Sequence, residues 1–147
     1  MDYVNHFPQD LVIQDIILET ALCKTFVLSP AIGKITFQAG QYITFQADAK
    51  DPTVTRSYSI SSTALEQRLA ITIKRQENGL FSRMMIDRAQ VGDKVRAIGV
   101  FGKYVLPPVI DAADHFFFFA AGSGIVPIYS LIKTLLATGQ NKIILIY

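Results

Sequence analysis

Apolar and polar residues alternate with a period of two along short stretches of the first two thirds of the chain. In Leu69–Lys74, the side chains of Leu69, Ile71 and Ile73 fall on one face, as in a strand with one buried side. Similar stretches are rich in Val, Ile, Thr, Phe and Tyr and are separated by turn residues. The predicted strands are residues 12–18, 24–28, 41–46, 54–60, 69–74 and 94–98. Six strands in so short a span predict a closed or nearly closed β-barrel, antiparallel and Greek-key-like, because closure removes exposed edges.

One helix is predicted within this region, over residues 83–88, with Ser82 as its N-cap residue. The pattern changes after Pro107 and Pro108. Residues 116–120 are a continuous apolar run, as expected of a strand covered on both faces. Apolar residues then recur at helical spacing from Ile125 until Gly139, and residues 143–146 form a second apolar run. This order predicts the opening of a Rossmann-like, doubly wound α/β domain.

We therefore predict two domains, a β-barrel over residues 1–108 and the N-terminal part of an α/β domain over residues 109–147. Two strands and one helix do not cover both faces of a parallel sheet. For that reason we expect the chain to be a fragment whose second domain is truncated.

Composition narrows the classes of function. Of 147 residues 50% are hydrophobic, which supports an ordinary core. The net charge of +2 is spread without a basic run, which argues against a nucleic-acid surface. One cysteine and two histidines are too few for a disulfide, a structural zinc site or a cysteine-ligated iron–sulfur site. Without a secretory signal or an apolar block long enough for a membrane span, we expect a soluble, cytoplasmic protein.

The first candidate for chemistry is Arg56, which lies two residues before Tyr58 on a predicted strand. Both side chains project from the same face, about 7 Å apart. A fixed cation beside an aromatic ring suits a ligand that has an anionic tail and a flat ring. The alternative is a strand with an exposed arginine and a packed tyrosine.

The second candidate is the turn before the predicted helix. Asn78-Gly79 permits a positive φ, and the turn presents the backbone N–H groups of Leu80, Phe81 and Ser82 at the start of a helix. A helix N-terminus of this kind favours an anion. A capped helix without any ligand is the alternative.

The third candidate is Gly122-Ser123-Gly124, which follows a predicted strand and opens a predicted helix. The two glycines let a backbone approach a pyrophosphate closely, although Pro127 stands where the dinucleotide fingerprint has its third glycine. A tight strand–helix turn is the alternative. Lys74 and Arg75 are interpreted as solvated charges at a strand end, and Gly40-Gln41-Tyr42 as a turn that shapes the barrel.

Arg56-x-Tyr58-Ser59 resembles the flavin-binding motif of the ferredoxin–NADP reductase superfamily. The resemblance implies that Arg56 contacts the flavin phosphates and that Tyr58 stacks on the isoalloxazine ring. It also implies that Ser59, beside Ser57 in the same motif, approaches the reactive ring nitrogen as the catalytic residue. Strict alternation turns Ser59 away from Tyr58, so a twist, a bulge or a contact through the Ser59 backbone is needed.

Two more segments are similar to this superfamily. Gly79-Leu80-Phe81-Ser82 is similar to the Gly-x-x-Ser turn that holds the flavin pyrophosphate. Ile73 and Lys74, just before it, are assigned to the same site. The run from Ala121 to Pro127 is similar to the superfamily's nicotinamide-nucleotide loop. The cofactor-binding residues implied there are Gly122, Ser123, Gly124 and Pro127.

The resemblance implies a flavin-dependent oxidoreductase that moves hydride from NADH or NADPH to FAD, with FMN as the alternative flavin. Electrons then pass singly to an acceptor, a ferredoxin or an oxygenase component, and no metal site is implied in this chain. The alternatives are a flavin-binding electron-transfer or regulatory subunit without its own NAD(P)H oxidation, and a β-barrel interaction module without a cofactor. By itself the chain is expected to bind flavin, not to turn over NAD(P)H, and to self-associate through the truncated domain.

Overall fold

Six strands from the first part of the chain form one antiparallel sheet in the computed structural model, which describes residues 5–111, 115–139 and 142–147. The strands are Gln9–Thr20 (β1), Cys23–Pro30 (β2), Tyr42–Gln46 (β3), Thr55–Ser59 (β4), Leu69–Lys74 (β5) and Lys94–Phe101 (β6). Their order is β4-β3-β6-β1-β2-β5, and each neighbouring pair is antiparallel. The predicted Greek-key-like arrangement is confirmed.

The sheet curves around one apolar core, but its two edge strands meet at a single point. Leu11, Phe26, Ile43 and Val95, from four different strands, belong to the same buried cluster. In the described part of the chain, one isolated bridge, Ile60 to Ile71, joins the end of β4 to β5. The result is a barrel-like sheet with a gap between β4 and β5, which we call the seam.

A helix, Leu80–Asp87 (α1), packs onto this core with Phe81, Met85 and Ile86 buried. The predicted helix over 83–88 with Ser82 as its N-cap is therefore wrong at its start. Gly79 is the N-cap residue, and the Ser82 hydroxyl accepts a hydrogen bond from the Gln76 N–H at 3.1 Å. Because Ser82 is bonded to the preceding turn, the helix begins at Leu80.

The second part of the chain has the predicted order of strand, helix and strand. His115–Phe119 (β7) pairs in parallel with Lys142–Ile146 (β8), and Ile125–Thr138 (α2) lies between them in sequence. Gly139 ends α2 in a left-handed conformation, as expected. Phe117 and Phe119 are 59% and 70% exposed. In the described residues α2 packs on one face of β7 alone and the other apolar face is exposed, as expected of two strands and one helix.

Gly40 holds α2 against the six-stranded sheet. Its φ is +91°, and the Tyr104 carbonyl lies where a Cβ would be, so a side chain does not fit. The Gly40 N–H donates to the buried Ser130 hydroxyl of α2 at 2.9 Å. Tyr42 contacts the ring of Phe101, as expected of a residue that shapes the sheet. Across 5–111, 115–139 and 142–147, no helix combines the length and apolar character needed to cross a membrane.

Candidate functional site

The seam exposes one edge of β4, the strand that carries the Arg56–Tyr58 pair. Ile60 donates its N–H to Gln41 and Ala47 donates to Val54, at 2.9 and 2.7 Å. Hydrogen-bonded pairs alternate along an antiparallel ladder, and the register between β3 and β4 is continuous. The backbone N–H and C=O groups of Ser57 and Ser59 therefore point away from β3, towards the seam.

Arg56 and Tyr58 lie on the same face of β4, as predicted. They stand opposite Phe45 and Ile43 of β3, whose side chains are fully buried. The Tyr58 ring is half-buried and stacks against Phe81, with centroids 5.4 Å apart and planes 30° apart. Burial raises the pKa of the Tyr58 phenol, against a smaller opposing effect of Arg56, so the hydroxyl stays protonated at neutral pH. The exposed Arg56 guanidinium donates to the Thr55 carbonyl at 2.7 Å.

Ser59 keeps the strict alternation of the strand. It pairs with Tyr42 rather than with a core residue, and no bulge interrupts the ladder from Thr55 to Ser59. The Ser59 side chain is therefore on the opposite face from Tyr58. A twist, a bulge or a backbone contact of Ser59 could each reconcile the flavin-binding motif with a strand. The geometry favours the backbone contact.

The turn before α1 contains a glycine that has no room for a side chain. A Cβ at Gly79 would overlap the Ser82 hydroxyl and approach the Gln76 side chain. The φ of Gly79 is −82°, so the positive φ that Asn78-Gly79 permits is not adopted by this glycine. Glycine is needed here for close packing, because the Ser82 hydroxyl lies against the Gly79 backbone.

The backbone N–H groups of Leu80, Phe81 and Ser82 lie in the first turn of α1, as the anion-site hypothesis requires. The Phe81 side chain stacks on Tyr58, which places this turn next to the Arg56–Tyr58 strand. A cavity of about 470 Å³ adjoins the turn and is lined in part by Gly79, Leu80 and Arg83.

A second cavity, of about 160 Å³, lies at the seam, and we call it the seam cavity. Most of its lining residues have hydroxyl, amide or ammonium groups. They are Ser57, Tyr58, Ser59, Thr72, Lys74, Gln76, Ser123 and Val126. It therefore brings the strand motif together with Lys74 and with Ser123 of the glycine-rich loop. Arg75 differs from the interpretation as a solvated charge, because its guanidinium contacts both Asp87 carboxylate oxygens.

The glycine-rich loop forms a 3₁₀ turn, Gly122–Gly124, immediately before α2. Gly122 has a φ of +54°, and a Cβ on Gly122 or Gly124 would meet no atom within 4 Å. The backbone is thus open to a closely approaching ligand. Pro127 lies in the first turn of α2, where its missing N–H costs no helical hydrogen bond.

Ile73 is the predicted site residue that lies deepest. Its side chain is fully buried in the core, so any contact with a ligand at the seam would come from its backbone. Lys74, the next residue, is on the outer face of β5 and lines the seam cavity.

Glu66 and Lys133 were not anticipated from the sequence. Both Glu66 carboxylate oxygens accept hydrogen bonds from the Lys133 ammonium, at 2.9 and 2.8 Å, and this joins the sheet to α2. Burial disfavours the charged carboxylate, but hydrogen bonds from Lys133 and the Thr63 N–H outweigh it, so the pKa of Glu66 lies below its usual range. Thr63 and Glu66 have the spacing of a capping box, and this signal in the sequence would have predicted a fixed position for the Glu66 carboxylate.

The chemistry of the site fits a flavin dinucleotide. Tyr58 offers an aromatic face, while the exposed β4 edge and the hydroxyl-bearing residues offer hydrogen bonds to polar ring atoms. Arg56 and the N-terminus of α1 offer favourable positions for phosphate charge.

A family model described as the oxidoreductase FAD-binding domain matches residues 11–105. The chain belongs to this family. The predicted reductase superfamily, its fold and its flavin, FAD, are confirmed by this match and by the solved structures below.

Two curated relatives of this FAD-binding domain are named as a reductase component and a reductase subunit. The ferredoxin reductase component of 3-ketosteroid-9-alpha-monooxygenase from Mycobacterium tuberculosis is 36% identical over 116 residues, covering 78% of this chain and 32% of the relative. The reductase subunit of stachydrine N-demethylase from Rhizobium meliloti is 34% identical over 114 residues, covering 77% of this chain and 32% of the relative. The chain thus spans about a third of the length of these relatives.

A solved structure shares the fold over nearly the whole chain. Phthalate dioxygenase reductase, described as a modular structure for electron transfer from pyridine nucleotides to a 2Fe–2S centre, matches with a TM-score of 0.78 and 26% identity. The match covers 95% of this chain and 43% of that structure. It therefore includes the α2 region as well as the six-stranded sheet.

Proposed function

We propose that this chain is the flavin-binding part of an NAD(P)H-dependent reductase that passes electrons to an acceptor protein. One observation carries the proposal. The seam cavity brings Tyr58 and Ser59 of the flavin motif together with Ser123 of the loop that resembles a nicotinamide-nucleotide site. A donor bound at this loop would therefore lie beside a flavin bound at the seam.

The residues that would hold FAD form two groups, one for the pyrophosphate and one for the flavin ring. Arg56 and the first backbone N–H groups of α1 would bind the pyrophosphate, because both favour negative charge. Tyr58 would support the ring face, and the seam edge of Ser57 and Ser59 would bind its polar atoms. Ser59 would be the residue next to the reactive nitrogen, and Lys74 would add a positive charge at the ring.

When bound, FAD would supply the redox chemistry, accepting a hydride from NADH or NADPH and releasing electrons singly. The chain's own residues would bind and orient the ring and keep water from one of its faces. The proposal needs no general acid, nucleophile or metal ligand from this chain.

The proposed acceptor is a ferredoxin or an oxygenase component. The Mycobacterium tuberculosis relative is named as a ferredoxin reductase component, and phthalate dioxygenase reductase is described as a carrier of electrons from pyridine nucleotides to a 2Fe–2S centre. Both names support an acceptor of this class for the present chain. A cytoplasmic location stays a prediction.

Titration with FAD and with FMN tests the flavin part of the proposal. The purified chain is titrated with each flavin while visible absorption and flavin fluorescence are recorded. We expect saturable binding of FAD at micromolar concentration or below, with weaker binding of FMN because it lacks the adenylate half. Failure of both flavins to bind in this range would reject the proposal.

We further propose that residues 1–108 form the FAD domain, that residues 109–147 belong to an NAD(P)-binding domain, and that the 147-residue chain does not oxidise NAD(P)H by itself. The Gly122–Gly124 loop provides one pyrophosphate anchor. One anchor does not offset the cost of ordering a whole dinucleotide. The FAD-loaded chain should therefore show no NADH or NADPH oxidation with ferricyanide as acceptor, and steady turnover would contradict this.

A further inference from the structure

One face of α2 contacts the six-stranded sheet at successive helical turns. Val126, Tyr129, Ser130 and Lys133 have the spacing of residues on a common helix face. At one end Val126 lines the seam cavity. At the other end Lys133 binds Glu66, and Ser130 between them accepts the hydrogen bond from Gly40.

The Glu66 carboxylate is held in place by a contact that does not involve Lys133. Its Oε2 accepts the Thr63 N–H at 2.6 Å in a capping box. The side chains of Lys133 and Glu66 are 23% and 27% exposed, and the Lys133 ammonium lies 4.6 Å from the centroid of the Tyr129 ring. This ion pair is largely shielded from solvent, and other contacts hold both of its side chains in place, unlike an ion pair between mobile surface side chains.

Glu66 is also tied to the strand that carries the flavin motif. After β4, Ile60 bridges to Ile71, and the Ser61 N–H donates to the Ala70 carbonyl at 2.8 Å. The Ser62 hydroxyl then accepts the Ala70 N–H at 2.9 Å, just before the capping box begins at Thr63. A short, hydrogen-bonded path thus connects Tyr58 and Ser59 to Glu66.

We propose that Glu66 and Lys133 are positioning residues whose ion pair holds the start of α2, and with it Ser123, over the seam cavity. The inference rests on the proposed flavin function. Val126 precedes Lys133 by seven residues, about 10 Å along the helix. Release of Lys133 would let the helix pivot on Ser130 and move its first turn away from the cavity.

Three variants test this on the whole chain. Lys133→Met removes the ion pair, Lys133→Arg keeps a cation there, and Arg68→Met is the matched control. Arg68 contacts the same Glu66 carboxylate at 3.6 Å, but it lies between the 3₁₀ turn Ala64–Glu66 and β5 and does not join the sheet to α2. Amide hydrogen exchange is measured by mass spectrometry with and without FAD.

We expect Lys133→Met to speed exchange at residues 123–128 by about threefold to tenfold, while exchange in β1 to β6 stays at the parental rate. Lys133→Arg and Arg68→Met should both resemble the parent. In the FAD-loaded protein, Lys133→Met should also alter the visible absorption band of FAD, because Ser123 moves relative to the ring. The FAD dissociation constant should change by less than about twofold, since its proposed binding residues are elsewhere.

Parental exchange at residues 123–128 in Lys133→Met would overturn the proposal, as would an equal effect of Arg68→Met. If Lys133→Met does not fold, Glu66→Gln tests the same point, because an amide keeps the Thr63 hydrogen bond and removes the charge. Glu66→Gln should loosen residues 123–128 in the same direction. Exchange without FAD tests the pair even if the parent binds no flavin, so failure of the proposed function is distinguished from failure of this inference.

Discussion

Arg56 and Tyr58 share one face of β4, yet their surroundings give them different roles. The Arg56 side chain is exposed and contacts the backbone of its own strand. The Tyr58 ring stacks on Phe81 and lies tilted against Phe45. Arg56 is thus available for a ligand at little structural cost, whereas Tyr58 serves the core and the site together.

Arg56→Ala should weaken FAD binding strongly. A charge-assisted contact to phosphate contributes about 1.5–3 kcal/mol, or roughly 10-fold to 150-fold in the dissociation constant. Fluorescence titration measures the change. Arg96→Ala is the control, since Arg96 pairs with Asp10 on β1 and should leave the affinity unchanged. An unchanged affinity in Arg56→Ala would remove this residue from the site.

Tyr58→Phe should bind FAD almost as the parent does, while Tyr58→Ala should bind more weakly and shift the visible flavin band. A stacked ring contributes roughly 0.5–1.5 kcal/mol beyond its buried area. The alanine variant also withdraws support from Phe81, so its thermal stability should fall. Absorption spectra and melting curves separate the two effects. If phenylalanine is as damaging as alanine, the hydroxyl matters more than the ring.

At the scale of single residues, the sequence predicted which side chains share a face but not the reason for each glycine. Period-two alternation placed Arg56 and Tyr58 together, and the β3–β4 register confirms it. The same rule separated Ser59 from Tyr58, as observed. The packing reason for Gly79 was not predicted, because the close approach of the Ser82 hydroxyl is a contact across a turn and leaves no trace in sequence spacing.

At the scale of elements, α1 depends on Gly79. Gly79→Ala places a Cβ against the Ser82 hydroxyl and should destabilise the protein by about 1–3 kcal/mol, as overpacking does. Urea denaturation measures the loss. Gly124→Ala is the matched control, because its added methyl group meets no atom and its φ of −62° suits any residue. Equal stabilities of Gly79→Ala and the parent would show that the turn adapts freely.

The junction between the Ala64–Glu66 turn and α2 should respond to acid. The pKa of Glu66 is lowered in the folded state, so its contribution to stability is present above the unfolded value of about 4.3 and is lost as the pH falls through the folded value. Arg68 and Lys133 are the cations that face this carboxylate.

Melting temperatures of the parent and Lys133→Met, compared from pH 7 down to pH 3, test this response. Their difference should stay constant near neutrality and shrink in acid, about where Glu66 takes up a proton. A difference that grows on acidification would contradict the assignment of the lowered pKa to this pair.

Element types were predicted better than element ends. The strands and α2 have a strong apolar periodicity, and all of them are present. The start of α1 was missed because Ser82, a favourable N-cap residue by type, bonds to Gln76 instead. Tertiary contacts decide whether Ser82 caps the helix or bonds to Gln76, and the local sequence does not show those contacts.

At the scale of the whole molecule, polar contacts distant in sequence join the two parts. Gly40 is 90 residues from Ser130, and Glu66 is 67 residues from Lys133. No periodicity in the sequence predicts either of these contacts. The order of strands, loop and helix could be predicted from the sequence, whereas the contacts that fix α2 on the sheet could not.

The exposed face of β7 and β8 should make the 147-residue chain self-associate. Phe117, Phe119 and Ile146 form an apolar strand surface of the kind that pairs with another copy. Light scattering should show a mass that rises with concentration. Phe117→Lys should reduce it, and Leu18→Lys, at an exposed position on β1, should not. A monomer at all concentrations, with protected amides in β8, would show that this part is self-sufficient.

A flavin bound across the seam, as proposed, would also link the lifetime of the protein to its ligand. Because β4 and β5 are joined in the described structure at one end of the seam, by the Ile60–Ile71 bridge, a ligand that spans the seam would add its binding energy to the closure of the sheet. By mass action, each tenfold rise in free flavin above the dissociation constant adds about 1.4 kcal/mol to folding. Local opening, and hence proteolysis, would begin at this edge when flavin is scarce. The amount of the protein in the cell would then follow the supply of flavin.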